Sequence, residues 1–171
     1  MGTAADTATA AREQFMHRAI TLARRSLAAG GPPVGAVLVR DGAIVAEAQN
    51  AVIPQTDVTA HAEMMLLREA CRDQRRLHLS GDELYVTVEP CMMCFGACAY
   101  AGIASIYFGA PIADLAAITG RELAVDPGVV TKGPALHGGL CGKECSALLS
   151  EWQQARNVQS GVAGTTGKQS G

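Results

Sequence analysis

Two short stretches carry residues that could do chemistry together: His61-Ala62-Glu63 and Pro90-Cys91-Met92-Met93-Cys94. Zinc favours imidazole and thiolate ligands in a tetrahedron, and a catalytic zinc keeps three protein ligands and one position for water. His61, Cys91 and Cys94 supply such a set, which implies one zinc per chain. The C-x-x-C spacing sets both sulfurs about one helical turn apart, so both can face one metal. Pro90 suits a helix start, where the dipole and free backbone N–H groups favour the thiolate form that binds zinc. Glu63 lies two residues after His61, so one side chain can aim at the metal and the other beside its water. Zinc lowers the pKa of such a water to about 7. A carboxylate can then carry the proton to a ring nitrogen and onward to departing ammonia. The chemistry implied is metal-assisted hydrolysis with Glu63 as the proton shuttle, and the H-x-E with P-C-x-x-C pattern matches that of zinc enzymes that replace an exocyclic amino group on a nucleobase.

The elements that must position these residues are legible in the apolar periodicity. Phe15, Ala19, Ile20, Leu22, Ala23 and Leu27 recur at helical spacing and predict an amphipathic helix over 11–29, closed by Gly30-Gly31-Pro32-Pro33. Residues 34–39 read as a strand, Asp41-Gly42 as a hairpin turn and 43–48 as the returning strand. Thr59 is the expected N-cap of a helix over 60–73, with Met64, Leu67 and Ala70 on its apolar face. Residues 83–88 and 103–108 read as strands flanking a helix over 91–100. Between 110 and 139 the pattern gives a short helix near 112–117, a strand near 123–125, then a Pro/Gly-rich loop. A last helix spans 141–156. Residues 1–10 are expected to be a flexible leader and 157–171, rich in Gly, Ser, Thr and Gln, a flexible tail. This order defines an α/β layered domain with a mixed sheet.

The 171 residues suit one domain with one core, and 49% of them are hydrophobic. A net charge of −2 leaves no polybasic stripe for holding long nucleic acid. No stretch has the apolar length of a membrane span, and no charged-then-apolar signal opens the chain, so a cytoplasmic location is expected. Six cysteines without a secretion signal, two of them in a C-x-x-C pair, read as metal ligands and packing rather than disulfides.

His61-Ala-Glu63 with Glu89-Pro-Cys-Met-Met-Cys94 resembles the cytidine/deoxycytidylate deaminase-like superfamily. The likeness is greatest to the branch of guanine deaminases, fungal-type cytosine deaminases and bacterial tRNA adenosine deaminases. It runs from about Phe15 to Arg156, with support from Pro33-Val-Gly-Ala-Val-Leu-Val39, Asp57-Val-Thr-Ala-His-Ala-Glu63 and Leu84-Tyr-Val-Thr-Val-Glu-Pro90. The resemblance implies a three-layer α/β/α sandwich around a five-stranded mixed sheet, and a homodimer. It also implies that Asn50 hydrogen-bonds the bound base and that the backbone N–H groups of Ala62 and Cys91 face the ligand. Tyr100 falls where relatives place a pocket-wall residue. Thr119-Gly-Arg-Glu-Leu123 resembles the place of a substrate-facing carboxylate, which makes Glu122 the candidate and Asp114 the weaker one.

The tRNA branch carries a charged Arg-Asp-x-Lys stretch after the fourth strand, where this chain has Gly109-Ala-Pro-Ile-Ala-Asp-Leu-Ala-Ala117. In the last helix Lys143 and Arg156 balance Glu144 and Glu151. A small amino-heterocycle of guanine or cytosine type is therefore favoured over nucleic acid, with tRNA adenosine as the alternative substrate. Guanine deaminases often have an aromatic residue where this chain has Val34, so the base itself is left open. A second class is a non-catalytic structural zinc protein, with Cys91 and Cys94 joined by Cys141 and Cys145. That reading leaves His61 and Glu63 unexplained. Cys71, Cys98 and Cys145 are otherwise expected to pack as small apolar side chains.

Overall fold

The computed structural model describes residues 4–121, 123–125 and 133–165. Its elements follow the chain as α1 (Ala4–Ala28), β1 (Gly35–Arg40), β2 (Ala43–Gln49), α2 (Val52–Gln55), α3 (Ala62–Gln74), β3 (Glu83–Val88), α4 (Met92–Ala101), β4 (Ser105–Ala110), α5 (Ile112–Thr119), β5 (Ala135–His137) and α6 (Gly142–Thr165). The five strands form one mixed sheet in the order β2-β1-β3-β4-β5. β1 pairs antiparallel with β2 and β3, while β3, β4 and β5 run parallel. α1 and α6 pack on one face of the sheet, and α3 on the other with α4 against it. This is the three-layer α/β/α sandwich around a five-stranded mixed sheet that the resemblance implies.

The β1–β2 hairpin turns at Asp41-Gly42, both with positive φ (50° and 76°), the conformation of a tight primed turn that suits the strand twist. Central strand β3 is buried along nearly its whole length, as a strand covered on both faces must be. Glycine at position 35 lets α1 lie directly on β1: a Cβ there would sit 2.2 Å from the Ala19 carbonyl oxygen and 2.6 Å from the Ala23 nitrogen. An aromatic ladder crosses the parallel strands, with Tyr85 stacked on Tyr107 at 4.9 Å and Tyr107 on His137 at 4.7 Å. From α1, Phe15 closes the Tyr85 end and the Arg12 guanidinium lies over Tyr107. Asp82, fully buried at the entry to β3, takes a two-pronged ion pair from Arg40 at 2.6 and 2.5 Å.

Four expectations from sequence are corrected. The segment read as a leader is helical from Ala4, because Ala-rich sequence with Asp6 in the first turn favours helix. The helix expected to end at 156 continues to Thr165, with no proline to stop it. The fifth strand is Ala135–His137, not 123–125; it is a short exposed edge whose apolar signal is too brief to read. Thr59 does not cap α3. Asp57 accepts hydrogen bonds from both its N–H (2.8 Å) and its hydroxyl (2.7 Å), and the cap falls to His61.

Candidate active site

The site is built where two helices begin. His61 is the N-cap of α3 and Cys91 the N-cap of α4, both with extended backbone. A cap residue turns its side chain away from the helix axis, so the imidazole and the first thiol meet between the two helix starts. Cys94, in the first turn of α4, adds the second thiol from below. His61 Nδ1 lies 3.7 Å from Cys91 Sγ and 3.5 Å from Cys94 Sγ. Tetrahedral zinc with ordinary bond lengths would hold such atoms about 3.6 Å apart. The donor set and its spacing therefore fit zinc, with these three residues as the holders.

The electrostatics agree. Hydrogen bonding with Cys94 and His61 pulls the Cys91 thiol down to about 4, while the contact with Cys91 and burial push Cys94 up. The two sulfurs thus compete for one proton, which a divalent cation replaces when both are thiolates. The hydrogen bond with Cys91 raises the imidazole of His61. Glu63, in the first turn of α3, is 3% exposed, and burial raises its carboxyl above the usual range. A carboxyl raised in this way is suited to both accepting and returning a proton.

Above these groups lies a cavity of about 130 Å³ lined by His61, Glu63, Cys91 and Asn50. Its walls are Pro32, Val34, Val52, Val58, Val88, Ile112, Leu115 and Leu123, and Trp152 of α6 is also part of the lining. Asn50 is buried among the lining residues, and its Oδ1 accepts the Val52 N–H at 3.1 Å. Ala62 is buried at the first helical position, where backbone N–H groups have no partner within the helix. Glu89 also lines the cavity and accepts the Ile112 N–H at 3.0 Å, pinning the start of α5 to the end of β3.

The structure does not assemble every expected residue. Tyr100 is 92% exposed and lines a groove with Met64, Leu67 and Leu77 on the α3–α4 face, because its place near the end of α4 is a full helix length from the caps. Asp114 accepts the Ser146 hydroxyl at 2.7 Å and is not among the cavity's lining residues. Glu122 lies outside the described residues; its neighbours Arg121 and Leu123 both line the cavity. Trp152 and Glu89 were not expected there. A lone Trp in a helical stretch reads as core from sequence, and only the packing of α6 brings it to the pocket. Among the described residues, Cys141 and Cys145 do not join Cys91 and Cys94, so no four-thiolate site is formed. Cys98 and Cys145 are buried in the core, and Cys71 packs at its edge, as small apolar side chains do.

Residues 9–110 match the family described as the cytidine and deoxycytidylate deaminase zinc-binding region. The chain belongs to that family. It is 45% identical over 105 residues to a guanine deaminase of Bacillus subtilis, covering 61% of this chain and 67% of that protein. It is 35% identical over 149 residues to a tRNA-specific adenosine deaminase of Agrobacterium fabrum, covering 87% of this chain and 98% of that one. A solved guanine deaminase from Nitrosomonas europaea superposes with a TM-score of 0.75 at 30% identity, covering 83% of this chain and 84% of the other.

Proposed function

We propose that this chain is a zinc-dependent hydrolytic deaminase of a free nucleobase, nucleoside or related amino-heterocycle of guanine or cytosine type, releasing ammonia. The carrying observation is the cavity of about 130 Å³ lined by His61, Glu63 and Cys91, with Trp152 also in its lining. It is small beside the roughly 300–1,000 Å³ of pockets for drug-sized ligands, so it suits one flat ring system. Its apolar walls, Trp152 among them, desolvate the ring.

Zinc held by His61, Cys91 and Cys94 supplies a Lewis acid that makes water a competent nucleophile near neutral pH. The amide N–H groups of Asn50 and the backbone N–H of Ala62 orient the ring by its acceptor atoms. Glu63 carries the proton, first to the ring nitrogen beside the aminated carbon and then to the leaving amino group. Glu122 is the proposed partner of a ring N–H or amino group, which would select an aminated heterocycle.

The competing reading is tRNA adenosine deamination, which the likeness to the Agrobacterium fabrum enzyme favours. Against it stand the net charge of −2 and the balance in α6, where Lys143 and Arg156 are matched in number by Glu144 and Glu151. RNA binding needs cationic contacts to phosphate. The test is ammonia release from guanine, cytosine, isocytosine, adenine, their nucleosides, an aminotriazine and a tRNA anticodon stem-loop. Turnover of a free base or nucleoside, lost on removing zinc, is expected. Turnover of the stem-loop alone would replace this reading with the tRNA one.

A further inference from the structure

A second group of metal-ligating side chains lies apart from the active-site cavity, where the start of α6 meets α1. His17 Nε2 is 3.4 Å from Glu144 Oε1 and 3.8 Å from Cys141 Sγ. All three ligand atoms lie within 4.8 Å of one another. Tetrahedral zinc would separate nitrogen from sulfur by about 3.6 Å and nitrogen from oxygen by about 3.4 Å. Glu13, one helical turn before His17, lines the same hollow, although only the other three ligand atoms form the close group. The hollow also holds Lys143, and two carboxylates against that one ammonium leave it net negative.

A simple surface ion pair between His17 and Glu144 would need neither the sulfur nor the backbone that presents it. Cys141 sits at φ 52°, in the left-handed region, between Leu140 and Gly142. That region is uncommon for a side chain other than Asn, Asp or Gly. Here it turns the thiol toward α1 just before α6 begins. The two helices are also cross-linked seven residues further along each, by Arg24 and Glu151. The His17 cluster therefore caps one end of a continuous α1–α6 seam.

We propose that His17, Cys141 and Glu144 form a second zinc site, completed by Glu13 or water, that clamps the start of α6 to α1. An imidazole, a thiolate and a carboxylate make a borderline-soft set that suits zinc rather than calcium or magnesium. The clamp lies roughly 12 Å along the helix from Trp152, so it fixes the element that walls the active-site cavity. The site is independent of the substrate reading, because none of its ligands lines that cavity.

The test is metal content of the full chain after equilibration with zinc sulfate and removal of loosely held ion. Wild type should hold two zinc per chain. Cys141→Asn, which suits the left-handed backbone, should hold one, as should His17→Gln on the exposed face of α1; both should keep deaminase activity and show a lower Tm in zinc. Cys91→Ala should also hold one but lose activity. With cobalt in place of zinc, Cys141→Asn should lose part of the thiolate-to-metal charge-transfer absorption. One zinc per wild-type chain, or unchanged zinc content and Tm in both Cys141→Asn and His17→Gln, would overturn the proposal.

Discussion

At the scale of residues, the account rests on Glu63 being placed by its helix and tuned by burial. Glu63→Gln keeps the shape of the side chain and removes its capacity to carry a proton. Zinc content and Tm should stay near wild type, while kcat falls by roughly 10²–10⁴-fold, the range for a positioned acid–base group. Steady-state kinetics beside metal analysis decide this; activity within a few-fold of wild type would remove Glu63 from the mechanism. Asn50 has two tasks that one substitution separates. Its Oδ1 holds the Val52 N–H, so Asn50→Ala should lower stability by about 1–2 kcal/mol in a denaturant titration. If its donor side also holds the base, kcat/KM should fall more than tenfold with zinc still bound. A stability loss with unchanged kinetics would leave Asn50 a turn residue only.

At the scale of elements, the hairpin, the helices that carry His61, Cys91 and Cys94 and the core strands were all legible in the sequence. They have strong signals: alternation or continuous apolar runs, Asp41-Gly42, Gly30-Gly31-Pro32-Pro33, and a Pro before the C-x-x-C. What could not be read lacked such a signal. The β5 strand is three exposed residues paired with β4, and His137 stacks on Tyr107. The Thr59 cap failed because Asp57 captured that residue for its own turn, a local competition that propensity does not rank. The close approach of α1 to β1 is tertiary information, and it gives a sharp expectation. Gly35→Ala places a Cβ against the Ala19 carbonyl, so α1 must lift from the sheet. A loss of about 1–3 kcal/mol is expected by chemical denaturation. A neutral result would mean that α1 has room to move that this packing denies it.

For the whole molecule, the order of the chain brings the starts of α3 and α4 side by side, and α6 returns from the far end to supply a wall. The candidate metal ligands and Glu63 could be singled out because their spacing is local: His61 with Glu63, Cys91 with Cys94. The pocket wall was not, because Trp152 and Tyr100 differ only in where their helices end up: one is buried over the site, the other exposed on the α3–α4 face. Trp152→Ala should raise KM for the base at least tenfold while leaving zinc content unchanged, since it removes an apolar wall and no ligand. An unchanged KM would show that α6 does not touch the substrate. The most direct test of the central claim compares kcat/KM for guanine and cytosine with that for a tRNA anticodon stem-loop, using zinc-loaded and zinc-stripped protein. This account predicts that a free base is preferred and that its turnover vanishes with zinc and returns on reloading. Preference for the stem-loop, or turnover indifferent to zinc, would contradict it.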